Sequence, residues 1–159
     1  MIIFQILEEI FHSAPLEISV KTRLGVTSAD EFPAILEIYN RYPIKELTIH
    51  PRVRKAFYGG EVDMQAFGYA FANSKAPLCY NGDLCSRKDI ASVAEKFPGL
   101  QAVMLGRALI ADPGMLTDGG TTMQAMESFS NELLEQYLEA FGGSRNAMFR
   151  MKENWQFLL

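Results

Sequence analysis

Cysteine and histidine are scarce here, with two of each in 159 residues. Cys79 and Cys85 stand at no metal-ligand spacing from a histidine, so the sequence offers no zinc-type cluster. Two thiols without a secretory signal point to a reducing, cytoplasmic setting and against a disulfide scaffold. Positive charge is not in excess either. The formal net charge of -4 excludes the global basic field of a general nucleic-acid binder and leaves only local patches open. The opening run Met1–Ile10 is apolar but carries Glu8 and Glu9, so it predicts neither a signal peptide nor a membrane span. Disorder is excluded by a composition of 48% hydrophobic and 21% charged residues. The length suffices for one domain with a real core.

What is present is periodic. Ile3, Ile6, Leu7 and Ile10 recur at helical spacing over 2–11. No N-cap precedes them, so the chain reads as if it enters a helix past its start, a first sign of a fragment. Leu16–Arg23 then alternates strictly. Leu16, Ile18 and Val20 share one face; Glu17, Ser19, Lys21 and Arg23 share the other, which predicts a strand. Ser28-Ala29-Asp30-Glu31 has the form of a capping box ahead of a stripe of Phe32, Ile35, Leu36 and Tyr39.

Three more strand-and-helix units follow. Glu46–His50 places Leu47 and Ile49 on one face and Thr48 and His50 on the other. Asp63 is placed to cap a helix running to about Asn73. Pro77–Asn81 is the third strand, and Ser86 caps a helix with Ile90, Val93, Ala94 and Phe97 as its buried stripe. Residues 101–105 form the fourth strand, ending in Gly106-Arg107. Thr121–Phe141 then reads as one amphipathic helix stopped by Gly142-Gly143, with a further helix over 144–159.

Strand alternating with helix predicts a parallel α/β sheet. The expected fold is half of a (β/α)8 TIM barrel, four βα units, followed by a partial C-terminal helical region. The expected division is 1–118 for the half barrel and 119–159 for the helices. In such barrels chemistry sits at the carboxyl ends of the strands. Those ends supply Lys21 and Arg23, His50 and Arg52, Asn81, Gly82 and Asp83, then Gly106 and Arg107. A lysine there could stabilise an electron-rich flavin edge. His50 and Arg107 could hold a phosphate. A small residue followed by an arginine suits an anion, because the backbone can approach closely and the guanidinium can grip.

These residues, in this order, resemble the C-terminal half of the tRNA-dihydrouridine synthases. The resemblance lies in Val20-Lys21-Thr22-Arg23-Leu24-Gly25, Leu47-Thr48-Ile49-His50-Pro51-Arg52 with Tyr58-Gly59-Gly60, Asn81-Gly82-Asp83, and Val103-Met104-Leu105-Gly106-Arg107. It spans about residues 16–115, and the helical tail is similar to the start of that family's helical domain. It implies an FMN-dependent oxidoreductase that uses NADPH to reduce uridines in tRNA. Lys21 matches the family's flavin-contacting lysine and His50 its FMN-contacting histidine, with Arg52 beside it. Asn81, Gly82, Gly106 and Arg107 match positions that cradle the FMN phosphate end, and Asp83 joins them as a cofactor-binding candidate. Arg145, Arg150 and Lys152 become candidates for tRNA contact. The family's Asn-x-Gly-Cys-Pro motif, which carries its proton-donating cysteine, does not occur in this sequence. The resemblance therefore leaves no catalytic residue assigned.

Simpler readings stand beside these. Lys21 and Arg23 could form an ion-pair set with Glu17, Asn81-Gly82-Asp83 could be only a turn, and Arg145, Arg150 and Lys152 could be a solvated helix face. The chain as a whole could be a non-catalytic half-barrel remnant or a phosphate-binding module. A dihydroorotate-dehydrogenase-like barrel is disfavoured by the His50-Pro51-Arg52 loop. A half barrel has two open sheet edges, which predicts a homodimer or a missing N-terminal half.

Overall fold

The computed structural model describes residues 2–13 and 15–158. Among them, seven helices and four strands run in the order α1 (Ile2–Ser13), β1 (Ser19–Arg23), α2 (Phe32–Tyr39), β2 (Glu46–His50), α3 (Met64–Asn73), β3 (Leu78–Tyr80), α4 (Arg87–Lys96), β4 (Ala102–Val103), α5 (Arg107–Ala111), α6 (Met123–Phe141) and α7 (Ser144–Leu158). Two compact units emerge. One holds Met1–Asp83 with Ile90–Met104, the other Leu84–Asp89 with Leu105–Leu159.

The first unit is the sheet. Its strands lie in the order β1-β2-β3-β4 and all pair in parallel. Four consecutive βα units in sequential order are the arrangement of half an eight-stranded barrel. Register decides what each face carries. Lys21 sits beside Thr48 and Arg23 beside His50, while Thr48 sits beside Cys79. Successive side chains alternate, so Lys21, Arg23, Thr48, His50 and Cys79 share one polar face. The opposite face holds Val20, Leu47, Ile49, Leu78 and Tyr80, and Leu47 and Ile49 are fully buried. Phe67 of α3 stands edge-on to Tyr80 and to Phe97, at 4.9 Å in each case. Leu47, Ile49, Phe67 and Tyr80 build a core with the buried stripe Phe32, Ile35, Leu36 and Tyr39 of α2.

β1 is shorter than its alternation predicts. The ladder begins only at Ser19, opposite Glu46, and Leu16 is 73% exposed. A strand lasts as long as a neighbour supplies hydrogen bonds, and β2 starts at Glu46. Just ahead of the ladder Lys45 N donates to Ile18 O at 2.8 Å. The same offset brings Glu17 to the Lys45 ammonium. That surface pair takes the place of the ion-pair set of Glu17 with Lys21 and Arg23.

The turn after β1 is held by one carboxylate. Glu31 accepts from the backbone N–H groups of Val26, Thr27 and Ser28, completing the capping box with Ser28. Those donors favour the ionised form and hold its pKa at about 2. Gly25 is needed for close approach. A Cβ there would meet Ser28 O at 2.6 Å and Glu31 Cβ at 2.8 Å.

The second unit is helical. Ala147 and Met151 of α7 are buried, as are Ala108 of α5 and Met115. Thr122 caps α6 by accepting from Ala125 N, so the helix opens at Met123 and not at Thr121. Gly142, in the left-handed conformation at φ 63°, ends it. Arg87 ties down the loop after α5 through Met115 O at 2.6 Å and through Thr117 O. Among the described residues no helix is long and apolar enough to cross a membrane.

Candidate functional site

The carboxyl ends of β1, β2 and β3 converge within the first unit. The parallel ladder puts Arg23 level with His50, and Asn81 N donates to Ile49 O at 3.0 Å, extending the β2–β3 pairing by one residue. Lys21 donates from Nζ to Asn81 Oδ1 at 2.6 Å, and Asn81 Nδ2 donates to Met104 O at 2.8 Å. Asn81 thereby links β1 to β4 across the polar face. An ammonium has three donors and Asn81 uses one of them. Partial burial and the Arg23 charge lower the Lys21 pKa from its ordinary value.

Arg52 is the tether of the site. Its residue is only 4% exposed. Nη1 donates to Asp83 Oδ1 at 2.9 Å and Nη2 to Asp83 Oδ2, a two-point clamp. Nε donates to Gly60 O at 3.2 Å, holding the loop that follows β2. Nη1 also lies 3.2 Å from His50 Nε2. One guanidinium therefore joins the ends of β2 and β3 to the 51–60 loop. Asp83 is held in place for this at φ 45°, a conformation Asp tolerates better than most residues.

His50 is buried at 5% exposure. Burial, and then the charges of Arg23, Lys21 and Arg52, push its pKa down to about 4 against the opposing pull of Asp83. The imidazole is neutral at pH 7. Gly82 is packed tight beneath this cluster: a Cβ there would meet Val62 Cγ1 at 2.9 Å and the Tyr80 hydroxyl at 3.2 Å. Burial, with the Asp83 charge, raises the Tyr80 phenol to about 12.

Six of the sequence-predicted site residues thus lie in the first unit: hydrogen bonds join Lys21 to Asn81 and Arg52 to His50 and Asp83, and Gly82 packs against Val62 and Tyr80. Gly106 and Arg107 lie in the second unit, where Arg107 opens α5. Arg145, Arg150 and Lys152 lie on α7. Arg150 pairs with Glu153 at 3.0 Å and stands over the Phe141 ring. Arg145 stands 6.0 Å over Phe149, and both line an apolar hollow with Met148, Lys152 and Trp155.

Arg23 and Tyr58, both named in the sequence reading, join the cluster. Arg23 donates from Nη1 to Val53 O at 3.1 Å and stands 5.7 Å over the Tyr58 ring, which itself lies 6.2 Å from the His50 ring. Strand parity puts Arg23 on the Lys21 face, as the alternation of Leu16–Arg23 predicts. Phe57, just before Tyr58, adopts φ 50°, an uncommon conformation for an aromatic residue. Cys79 is buried on the polar face with its thiol pKa raised by burial, and Cys85 is exposed. Among the described residues, no group of three or more His, Cys, Asp or Glu side chains could hold a metal.

The site offers two donors, an ammonium and an imidazole. It suits a ligand rich in carbonyl or phosphate oxygen. Comparison with known proteins identifies the family. The family model described as dihydrouridine synthase (Dus) matches residues 1–154. A "Probable tRNA-dihydrouridine synthase" of Staphylococcus aureus (strain Mu50 / ATCC 700699) is 36% identical over 104 residues, covering 62% of this chain and 31% of the relative. A protein of the same name from Rickettsia conorii is 25% identical over 114 residues, covering 71% and 34%. A "tRNA-dihydrouridine(16) synthase" of Shigella flexneri is 30% identical over 103 residues, covering 64% and 32%. The chain spans about a third of the length of these curated relatives.

Proposed function

We propose, since the chain belongs to the dihydrouridine synthase family, that its polar sheet face is part of the flavin site of a tRNA-dihydrouridine synthase. The reading is carried by one observation: Lys21, His50 and Asn81 converge at the carboxyl ends of adjacent parallel strands. The donor chemistry fits FMN. An ammonium and a neutral imidazole suit the electron-rich oxygens of a flavin or of its phosphate, and Arg52 clamps the neighbouring Asp83 carboxylate. When bound, FMN supplies hydride transfer to uracil, with NADPH as the source of electrons.

In this reading Lys21 holds a positive charge beside the flavin ring and Asn81 fixes the direction of that charge. His50 donates a hydrogen bond. Gly82 lets the backbone come close, and Arg52 and Asp83 keep the strand ends in register. Gly106 and Arg107 take the phosphate. Residues 119–159 form the helical region that meets tRNA, with Arg145, Arg150 and Lys152 as contacts. The outer edges of β1 and β4 pair with further strands, from an N-terminal half or a second copy.

The test is FMN titration of the purified chain by flavin fluorescence, with Lys21→Met and Arg107→Ala alongside. Saturable binding, weakened about tenfold or more in each variant, supports the reading; a loss of about 1.4 kcal/mol corresponds to that factor. Unchanged binding in Lys21→Met refutes it. A second reading, a phosphate-binding module that does not catalyse, is favoured by the sequence's lack of an Asn-x-Gly-Cys-Pro motif. It predicts that inorganic phosphate competes with FMN and that riboflavin does not bind.

A further inference from the structure

We infer that Arg52 locks the tautomer of His50, so that His50 offers its ligand a neutral Nδ1–H donor. Arg52 Nη1 lies 3.2 Å from His50 Nε2. A guanidinium only donates. Nε2 must therefore accept, and the ring proton resides on Nδ1. Arg52 is not free to turn away, because Asp83 holds two of its nitrogens and Gly60 O takes Nε and Nη2. No buried side-chain nitrogen or oxygen among the described residues lacks a hydrogen-bond partner. The bond His50 makes is at Nε2, so Nδ1 opens onto accessible space.

The charges around the ring act in the same direction. Lys21 and Arg23 from β1 and Arg52 beyond β2 oppose an imidazolium, and Asp83 beyond β3 favours one. Asp83 spends its carboxylate on Arg52. The Tyr58 ring lies 6.2 Å away and adds no full charge. His50 thus stays neutral through the physiological range, and its accessible nitrogen can only donate. The matching ligand atom is an acceptor: a phosphate or carbonyl oxygen that needs no proton from solvent. A histidine that gripped phosphate as a cation would bind more tightly as pH fell through its ordinary value of about 6.5. This one does not. Arg52 acts through His50 and is a positioning residue. The tautomer assignment stands on the Arg52 geometry; the donor's use toward a ligand rests on the flavin-site reading.

Long-range 1H–15N correlation NMR on the 15N-labelled full chain tests this between pH 5.5 and 8. His12→Gln leaves a single histidine to assign. The expected spectrum has a protonated Nδ1 and an unprotonated Nε2 that do not move across the range. Arg52→Lys keeps a cation but loses the fixed fork, and is expected to give mixed tautomers that titrate closer to the ordinary value. A protonated Nε2 or an imidazolium in the wild-type chain overturns the inference, as does an Arg52→Lys spectrum identical to wild type. Adding FMN separates the two claims. A shift confined to the Nδ1 proton supports its use as the donor. An unmoved Nδ1 signal at saturating FMN refutes that use and leaves the tautomer assignment standing.

Discussion

Asp83→Asn should cost the fold about 2 kcal/mol, through the charge on Arg52. The side chain of Arg52 is 3% exposed and that of Asp83 39%. Breaking a fully buried ion pair by removing one partner costs about 3–5 kcal/mol, because the other charge is left unpaired away from water. Asp83 keeps contact with solvent, so water can enter and screen the guanidinium, which places the expected cost below that range. Asparagine retains the size of aspartate and tolerates the φ of 45° at this position, so the backbone contribution is small. Its amide nitrogen is a donor facing a donor, and one arm of the clamp is lost outright. Urea unfolding at pH 7 is the assay. With a slope of about 1–3 kcal/mol per molar urea, the midpoint should fall by about 1 M with the slope unchanged. A midpoint unmoved within error would show that the clamp is worth no more than a surface pair, and Arg52 would lose its place as the tether of the site.

His50 gives a pH signature. Its pKa is about 4 when folded against 6.5 unfolded, so the unfolded chain binds the proton first and stability falls as pH drops from 6.5 towards 4. At about 1.4 kcal/mol per pKa unit the full shift is worth about 3 kcal/mol. Stability curves of wild type and His50→Gln should converge by about that amount over this window, and parallel curves would contradict the shift. Gly25→Ala places a Cβ 2.6 Å from Ser28 O and 2.8 Å from Glu31 Cβ, and is expected to destabilise by about 2 kcal/mol or more in thermal unfolding. Phe67→Ala removes a fully buried ring that packs on both Tyr80 and Phe97, and should cost about 3–5 kcal/mol by urea unfolding, the largest loss in this set. Glu31→Gln removes the carboxylate that three backbone amides favour as an anion, and should abolish the part of acid destabilisation that sets in as pH falls from 4.5 towards 2.

Much of the sheet was legible because a strand with one apolar and one polar face has a period of two. Glu46–His50 matches its predicted strand residue for residue, with Leu47 and Ile49 on the apolar face. Helix starts were legible at Ser28, Asp63 and Ser86, whose side chains do the capping, whereas the Thr122 cap of α6 was passed over for Thr121. Alternation alone set β1 three residues too early, since Leu16 and Ile18 keep the period but have no ladder partner. Pairings across long sequence separation were not legible. Nothing in the order of residues says that Arg52 will spend its donors on Asp83, Gly60 and His50, 31 residues separating the first pair. The same holds for Asn81 as the link between Lys21 and Met104. Motif position brought these residues to one place; only the register and the turn after β3 show which are exposed to a ligand and which hold the others.

The most direct measurement of the central claim is calorimetric titration of the folded chain with FMN and, in parallel, with riboflavin. Saturable FMN binding is expected, with weaker binding of riboflavin for lack of the phosphate and loss of affinity for both in Lys21→Met. A cooperatively folded chain that takes up neither ligand at millimolar concentration would contradict it, and the polar face of the sheet would then have no claim to be a flavin site.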